Sequence, residues 1–379
     1  MKRSFYGLYM LVSGLTAGES AHAGLIGKTE GDLRLGYEWH DQQQSKRDAA
    51  VGGSLKIEIQ AWHGIASGVG FYTVQGIDHH DNLFIPFYDN DNHSYSLLGE
   101  AYLQGAYRNS TLTVGRQVID TPFADSDDIG MIPNRFEAYT LRNRDLENTT
   151  LTVTHIVKMA GVDAADPGRF TSVNPGNGVD AIGLEYEGLT DTAVSGWYYH
   201  ARGIEDIAYL EAWHVRTAYW GSYRVGLQYA LQDATGPSKA HIWGVMGETT
   251  LERYGIDLML ACNGVYSTAD GTADNFLGGG PFFTSDEHLT LAEAGVNGKS
   301  VMGSLSYDAG QIGLDALTLT VSTLYLRGDD GVKADEVDLM AGYAPGDDFS
   351  FDLIYSDVDD HHIHTNSFQN LRAFVNYRF

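Results

Sequence analysis

Two kinds of cluster in this sequence could do chemistry. The first is GRQVIDTPFADSDDIGMIPNRFEAYTLRNR, from Gly115 to Arg144, where Asp120, Asp125, Asp127 and Asp128 crowd the middle and Arg116, Arg135, Arg142 and Arg144 flank them. Carboxylates held across a gap from guanidinium groups create a transverse field, which sorts solutes with separated charges at a restriction. Arg142 and Arg144 share parity with Phe136 and Ala138, so they read equally well as rim anchors. The second kind is histidine with aspartate: Asp78, His79, His80 and Asp81 in one stretch, His361, His362 and His364 in another. Such groups bind metals or act as bases. No Gly-x-Ser-x-Gly or His-Glu-x-x-His motif accompanies them, and no Walker or dinucleotide fingerprint is present. Solvated loops that pick up a divalent cation adventitiously explain them better than catalysis, so neither an enzyme nor a dedicated cofactor is expected.

The elements that would position these residues are strands. In DLRLGYEWH, Leu33, Leu35, Tyr37 and Trp39 alternate with Arg34, Glu38 and His40; in SLKIEIQAW, Leu55, Ile57 and Ile59 oppose Lys56, Glu58 and Gln60. SYRVGLQYAL sets Tyr223, Val225, Leu227 and Tyr229 against Arg224, Gly226, Gln228 and Ala230. A side-chain period of two is the strand signature. Repeated along the chain, it predicts about eighteen strands, with sixteen as the alternative, an even count as in bacterial outer-membrane barrels. The predicted centres lie near residues 35, 56, 72, 102, 114, 138, 154, 183, 197, 211, 227, 243, 259, 304, 320, 338, 352 and 375.

The connections alternate in length. HGIASG, RNST, GLTD and APGDD are turns, whereas GIDHHDNLFIPFYDNDNH, the segment after Arg116, MAGVDAADPGRFTSVNPGNG and the tract from Asn263 to Lys299 are long. Short periplasmic turns and long extracellular loops describe a transmembrane antiparallel β-barrel, an all-β fold. Its residues 1–23 have the form of a signal peptide, with Lys2 and Arg3 ahead of an apolar core and a small-residue site at Ala21 to Ala23. Residues 24–379 would then be one barrel domain, with an inward-folding loop at about 117–134. No segment reaches the roughly 18 apolar residues of a helical span. Gly is abundant at 45 and Pro scarce at 8, the one cysteine, Cys262, rules out an internal disulfide, and a formal charge of −26 speaks against nucleic-acid binding. Tyr37, Trp39, Trp62, Trp197, Tyr198, Tyr199, Trp213, Tyr219 and Trp220 are candidates for interfacial girdles. Tyr377 and Phe379 end the chain inside an amphipathic strand, resembling the terminal signal by which barrels are recognised for insertion. A periplasmic β-sandwich also shows apolar alternation but explains neither this ending nor the aromatics.

The polar parity would line a lumen: Arg34, Glu38, Lys56, Glu58, Glu100, Arg224 and Arg372, with Gln104, Gln228, Glu336, Asp338, Asp352 and Asn376. A barrel of this size leaves an aqueous channel. The stretch Gly115 to Leu141, with its Gly-Arg-Gln, Asp-Thr-Pro and Pro-Asn-x-Phe-Glu-Ala runs in that order, resembles the OprD-like outer-membrane porins. The resemblance implies a substrate-selective passive channel for small hydrophilic solutes and ions. On it, Arg116, Arg135 and Arg142 become candidates for a basic track, and the acids from Asp120 to Asp128 the facing loop. Expected partners are outer-membrane lipid and lipopolysaccharide, the barrel assembly machinery and small solutes, with a homotrimer as the common assembly. Gly183, Gly226 and Gly244 are too scattered to mark its interface. An adhesin, using the FLGGGPFF tract for a ligand or merely to cover the mouth, and a rim-site barrel enzyme are the alternatives.

Overall fold

The computed structural model describes residues 26–77 and 87–379. The strands are β1 (Ile26–Asp41), β2 (Ser45–Trp62), β3 (Ile65–Gly76), β4 (Tyr95–Tyr107), β5 (Ser110–Gln117), β6 (Arg135–Asn143), β7 (Thr149–Ala160), β8 (Thr171–Ser172), β9 (Val179–Leu189) and β10 (Thr192–Ala201). They continue as β11 (Glu205–Ala218), β12 (Gly221–Ala234), β13 (Lys239–Leu251), β14 (Ile256–Thr268), β15 (Lys299–Asp308), β16 (Leu317–Arg327), β17 (Lys333–Tyr343), β18 (Phe349–Asp360) and β19 (Phe368–Arg378). Each predicted centre falls within one of them. The two-residue β8 only borders β7, which pairs onward with β9, so eighteen strands make the barrel wall.

Every ladder is antiparallel, and the last strand meets the first in register from Asp32↔Arg378 to Asp41↔Gln369. Closure continues past β19: Gly31 and Phe379 exchange both backbone hydrogen bonds at 2.9 Å. Hydrocarbon offers no partner for a free N–H or C=O, so only a closed sheet can span it with strands. The Phe379 ring lies over Gly31, where a Cβ would come within 2.3 Å of it, and stacks on Tyr377 at 6.1 Å between centroids. Phe379 thus packs in the seam between β1 and β19.

The alternation sorts the two faces as read. Leu33, Leu35, Tyr37, Val225, Leu227 and Tyr229 are exposed on the outside, while Glu38, Glu100, Gln228, Glu336, Asp338 and Arg372 are buried inside. Connections at one rim shrink to two residues: His63–Gly64, Arg108–Asn109, Thr190–Asp191 and Tyr219–Trp220. In several of these a residue takes positive φ, as in His63 (50°), Arg108 (51°) and Asp191 (55°), the backbone that tight hairpin turns demand. Long connections leave from the opposite rim.

Some expectations need correction. Trp197 and Tyr199 are buried inside the barrel, and Trp213 packs on Phe283 at 5.1 Å, so none of these belongs to a lipid girdle; Tyr198, on the other parity, is exposed. Gly183, Gly226 and Gly244 likewise face inward, against Trp197, Trp213 and Gln228. Parity errors of this kind arise because aromatics suit both a membrane interface and a filled lumen. Residues 1–23, the Asp78 to Asp81 cluster and the Trp62 side chain lie outside what the structure describes.

Removing the terminal ring by Phe379→Ala should lower barrel stability by about 1 kcal/mol, the scale of an aromatic pair. The urea midpoint of the folded, heat-modifiable band checks this.

Candidate pore constriction

The β5–β6 loop, residues 118–134, turns inward because its own sequence caps a tight bend. Thr121 and Ala124 exchange backbone hydrogen bonds at 2.8 and 3.3 Å, and the Thr121 hydroxyl donates to the Ala124 carbonyl at 3.1 Å. The bend presents Phe123, fully buried, edge-on to Tyr199, Tyr209 and Phe282 at 5.6, 5.7 and 6.0 Å between ring centroids. Its N–H donates to the Tyr199 hydroxyl at 3.2 Å. Eight strand-to-strand steps separate this anchorage, on β10 and β11, from where the loop tip lands on the ladder of β1 and β19. Here Arg34 donates to both carboxylate oxygens of Asp128 at 2.6 and 2.9 Å and to the Gly130 carbonyl at 2.6 Å. Met131 then drops onto Gly36, where a Cβ would sit 2.6 Å from its sulfur.

The β14–β15 loop, residues 269–298, also folds into the lumen and meets the first. Leu277 N–H donates to the Phe123 carbonyl at 3.1 Å, Asp125 N–H to the Leu277 carbonyl at 3.3 Å, and Gly279 N–H to Asp125 Oδ1 at 3.2 Å. Wall amides hold its backbone. Gln228 donates to the Pro281 carbonyl at 2.9 Å and accepts from Phe283 N–H at 3.1 Å; Asn263 accepts from Thr284 N–H at 3.0 Å; Gln232 and Asp274 bond reciprocally at 2.7 and 2.9 Å. Farther on, Glu336 accepts from His288 N–H at 2.9 Å and Leu289 N–H at 2.7 Å, and Glu287 accepts from Arg372 at 2.5 Å. Burial, helped by Arg372, pushes His288 down to about 3, so its ring is neutral.

A closed eighteen-strand wall with two inward loops can be compared with known proteins. The family described as outer membrane porin, OprD family, matches residues 75–377. The chain belongs to the OprD family of outer-membrane porins. Solved structures agree in fold: OccAB4 of Acinetobacter baumannii, with TM-score 0.80 and 15% identity, covers 93% of this chain and 98% of its own. OccK8 (OprE) of Pseudomonas aeruginosa has TM-score 0.78 and 15% identity over 94% and 99%, and a BenF-like porin of Pseudomonas fluorescens Pf-5 has 0.79 and 12% over 94% and 100%. Among curated protein sequences, nothing matches.

In this porin the candidate charges are arranged differently from the sequence expectation. Of the four loop acids, Asp128 meets a wall arginine, and that arginine is Arg34. Asp120 accepts from Ser126 N–H at 3.0 Å and Asp125 from Asp127 N–H at 3.0 Å, which shapes the loop; Asp127 is buried. Arg135 is buried on the lumen wall, donating to the Tyr72 hydroxyl at 2.8 Å and ion-paired with Glu100 at 3.4 Å, with Lys56 on the same carboxylate at 2.7 Å. Glu58 is exposed, 3.5 Å from the Tyr102 hydroxyl. Arg116 pairs with Glu137 at 3.5 Å and lies over Phe170 at 4.3 Å, a ring packed against the cluster of Tyr72, Phe87 and Met131. Arg142 and Arg144 sit exposed at the short-turn rim, far along the barrel from the loop tip. Residues that flank a loop in sequence stand at its root, whereas its tip meets strands remote in sequence.

Sequence reasoning missed Glu287 and the inward course of the whole β14–β15 loop. The signal was its Phe-Leu-Gly-Gly-Gly-Pro-Phe-Phe run, too apolar for a solvated loop. At the rim, His361 stands between Asp335 and Asp359, the latter at 3.6 Å.

Enclosure pushes the Asp128 carboxyl up, but the Arg34 guanidinium outweighs it and holds the group below its ordinary value. The clamp should therefore be fully formed above the ordinary aspartate range, near pH 3.9, and be lost only as pH falls through the lowered value. Single-channel recordings should show steady conductance down to about pH 4, with loop flicker setting in only as pH falls further, through the lowered value. Asp128→Asn should flicker at every pH.

Proposed function

We propose that this porin passes small hydrophilic solutes and ions down their gradients through a restriction bounded by the two inward loops, with a preference for cations. One observation supports the preference: Arg34, Lys56, Arg135, Arg224 and Arg372 each face a carboxylate partner, namely Asp128, Glu100, Glu100, Glu248 and Glu287. Acids stay in excess beyond these pairs, since the chain carries 50 Asp and Glu against 24 Lys and Arg. A lumen whose cations are already matched to carboxylates leaves no surplus positive track at the loop tip to draw carboxylate solutes, and its residual field attracts positive charge.

Family membership concerns channels, and we propose no catalytic turnover. His361, held between two aspartates, acts as a rim contact. The exposed Tyr377 and Phe379 are proposed as the signal read by the assembly machinery, supported by their place at the seam. A homotrimer belongs to the same proposal.

Reconstitution in a planar bilayer under a KCl gradient tests the reading. The reversal potential should have the sign of potassium preference, and Asp128→Asn, which frees Arg34, should move it toward chloride. A chloride-preferring wild-type channel would overturn the proposal, as would silence from a correctly folded barrel.

A further inference from the structure

On the lumen wall beneath the β14–β15 loop, three carboxylates converge. Asp286 comes from the loop, and Glu336 and Asp338 from β17; one oxygen of each lies within 4.8 Å of the others. All three are buried, Glu336 and Asp338 completely. Among the described residues no lysine or arginine is ion-paired to any of them, and Arg372, which reaches this part of the lumen, is taken by Glu287 at 2.5 Å. Buried carboxylates without compensation are too costly to persist, so something must neutralise them.

The free valences point to a cation. Asp286 Oδ1 accepts from the Ser322 hydroxyl at 2.8 Å, while its buried Oδ2 has no hydrogen-bond donor. Asp338 Oδ2 is 3.4 Å from Glu287 N–H, and its buried Oδ1 is likewise undonated. Both oxygens of Glu336 receive backbone N–H groups, at 2.9 Å from His288 and 2.7 Å from Leu289. A fourth oxygen stands outside the acid cluster. Ser356 is the cross-strand partner of Asp338, fully buried, and its hydroxyl leans on that carboxylate without a hydrogen bond of normal geometry. An all-oxygen set suits a hard divalent ion, and calcium, bound at about 2.3–2.6 Å, bridges oxygens at these separations.

We propose that Asp286, Glu336 and Asp338, with the Ser356 hydroxyl beside them, bind a divalent cation of the calcium type that fastens the β14–β15 loop to β17. The site differs from the acidic rim loops in being buried and in joining a loop to the wall. A cation there would neutralise the carboxylates and crosslink the inner loop to the barrel, without altering the Arg34–Asp128 clamp.

Equilibrium dialysis with radiolabelled calcium, on the full mature protein stripped with EDTA, tests this. Salt at about 0.15 M screens the exposed acids. The wild type should bind one calcium ion per chain more than Asp286→Asn/Asp338→Asn, with folding of both checked by the heat-modifiable band. Ser356→Ala, which keeps every carboxylate, should weaken that site about tenfold, the scale of losing a supporting group. Equal binding by wild type and folded double variant overturns the site in favour of shared protons. Should the double variant not fold, unchanged affinity in Ser356→Ala overturns it. Calcium binding is read independently of conductance, so failure here leaves the channel reading standing, and the reverse.

Discussion

Every feature of this porin depends on one constraint: inside a bilayer each backbone N–H and C=O must find a partner in the protein. Eighteen antiparallel strands meet it only if the last pairs with the first, and the ladder from Asp32↔Arg378 to Asp41↔Gln369, extended by Gly31 and Phe379, makes that closure. Once closed, the sheet has no choice about its faces. Leu33, Leu35 and Tyr37 meet lipid, and Arg34, Gly36 and Glu38 meet the lumen, because the strand period is two.

The lumen is thereby polar, confined and partly sheltered from water, and this lets two loops settle inside it. Neither lies on the wall by hydrophobic contact alone. The β5–β6 loop is fixed at one end by the buried ring of Phe123 and at the other by the bidentate Arg34–Asp128 pair. The β14–β15 loop is fixed by side-chain amides and carboxylates that take up its backbone N–H groups, at Gln228, Asn263 and Glu336. Each loop also satisfies donors of the other through Phe123, Asp125, Leu277 and Gly279. The restriction is thus one composite body, and a change in either loop is felt by both.

Charge in this space works by pairing. A lone guanidinium or carboxylate in a narrow lumen bears a desolvation cost, so Arg135 shares Glu100 with Lys56, and Arg372 takes Glu287. Arg116 pairs with Glu137 in the same way. Pairing sets which charges remain to act on a passing ion.

The amino-acid sequence by itself determined the barrel. Period-two alternation, turn chemistry and a terminal aromatic are local properties, and each expected strand centre, together with the lumen placement of Arg34, Glu38, Lys56, Glu100, Arg224 and Arg372, could be read from them. It also marked the acidic loop as unusual. Only the tertiary structure decided which charges meet: Asp128 finds Arg34, 94 positions away, and Glu287 finds Arg372, because a loop tip crossing a barrel reaches strands that sequence distance cannot predict. It likewise decided that Trp197 and Tyr199 fill the lumen, since an aromatic at the end of a strand suits water–lipid interface and interior alike. The inward course of the β14–β15 loop was the largest departure. Its anchors are spread over β12, β14, β16 and β17, and no local pattern brings Gln228, Asn263, Ser322 and Glu336 together; barrel closure does.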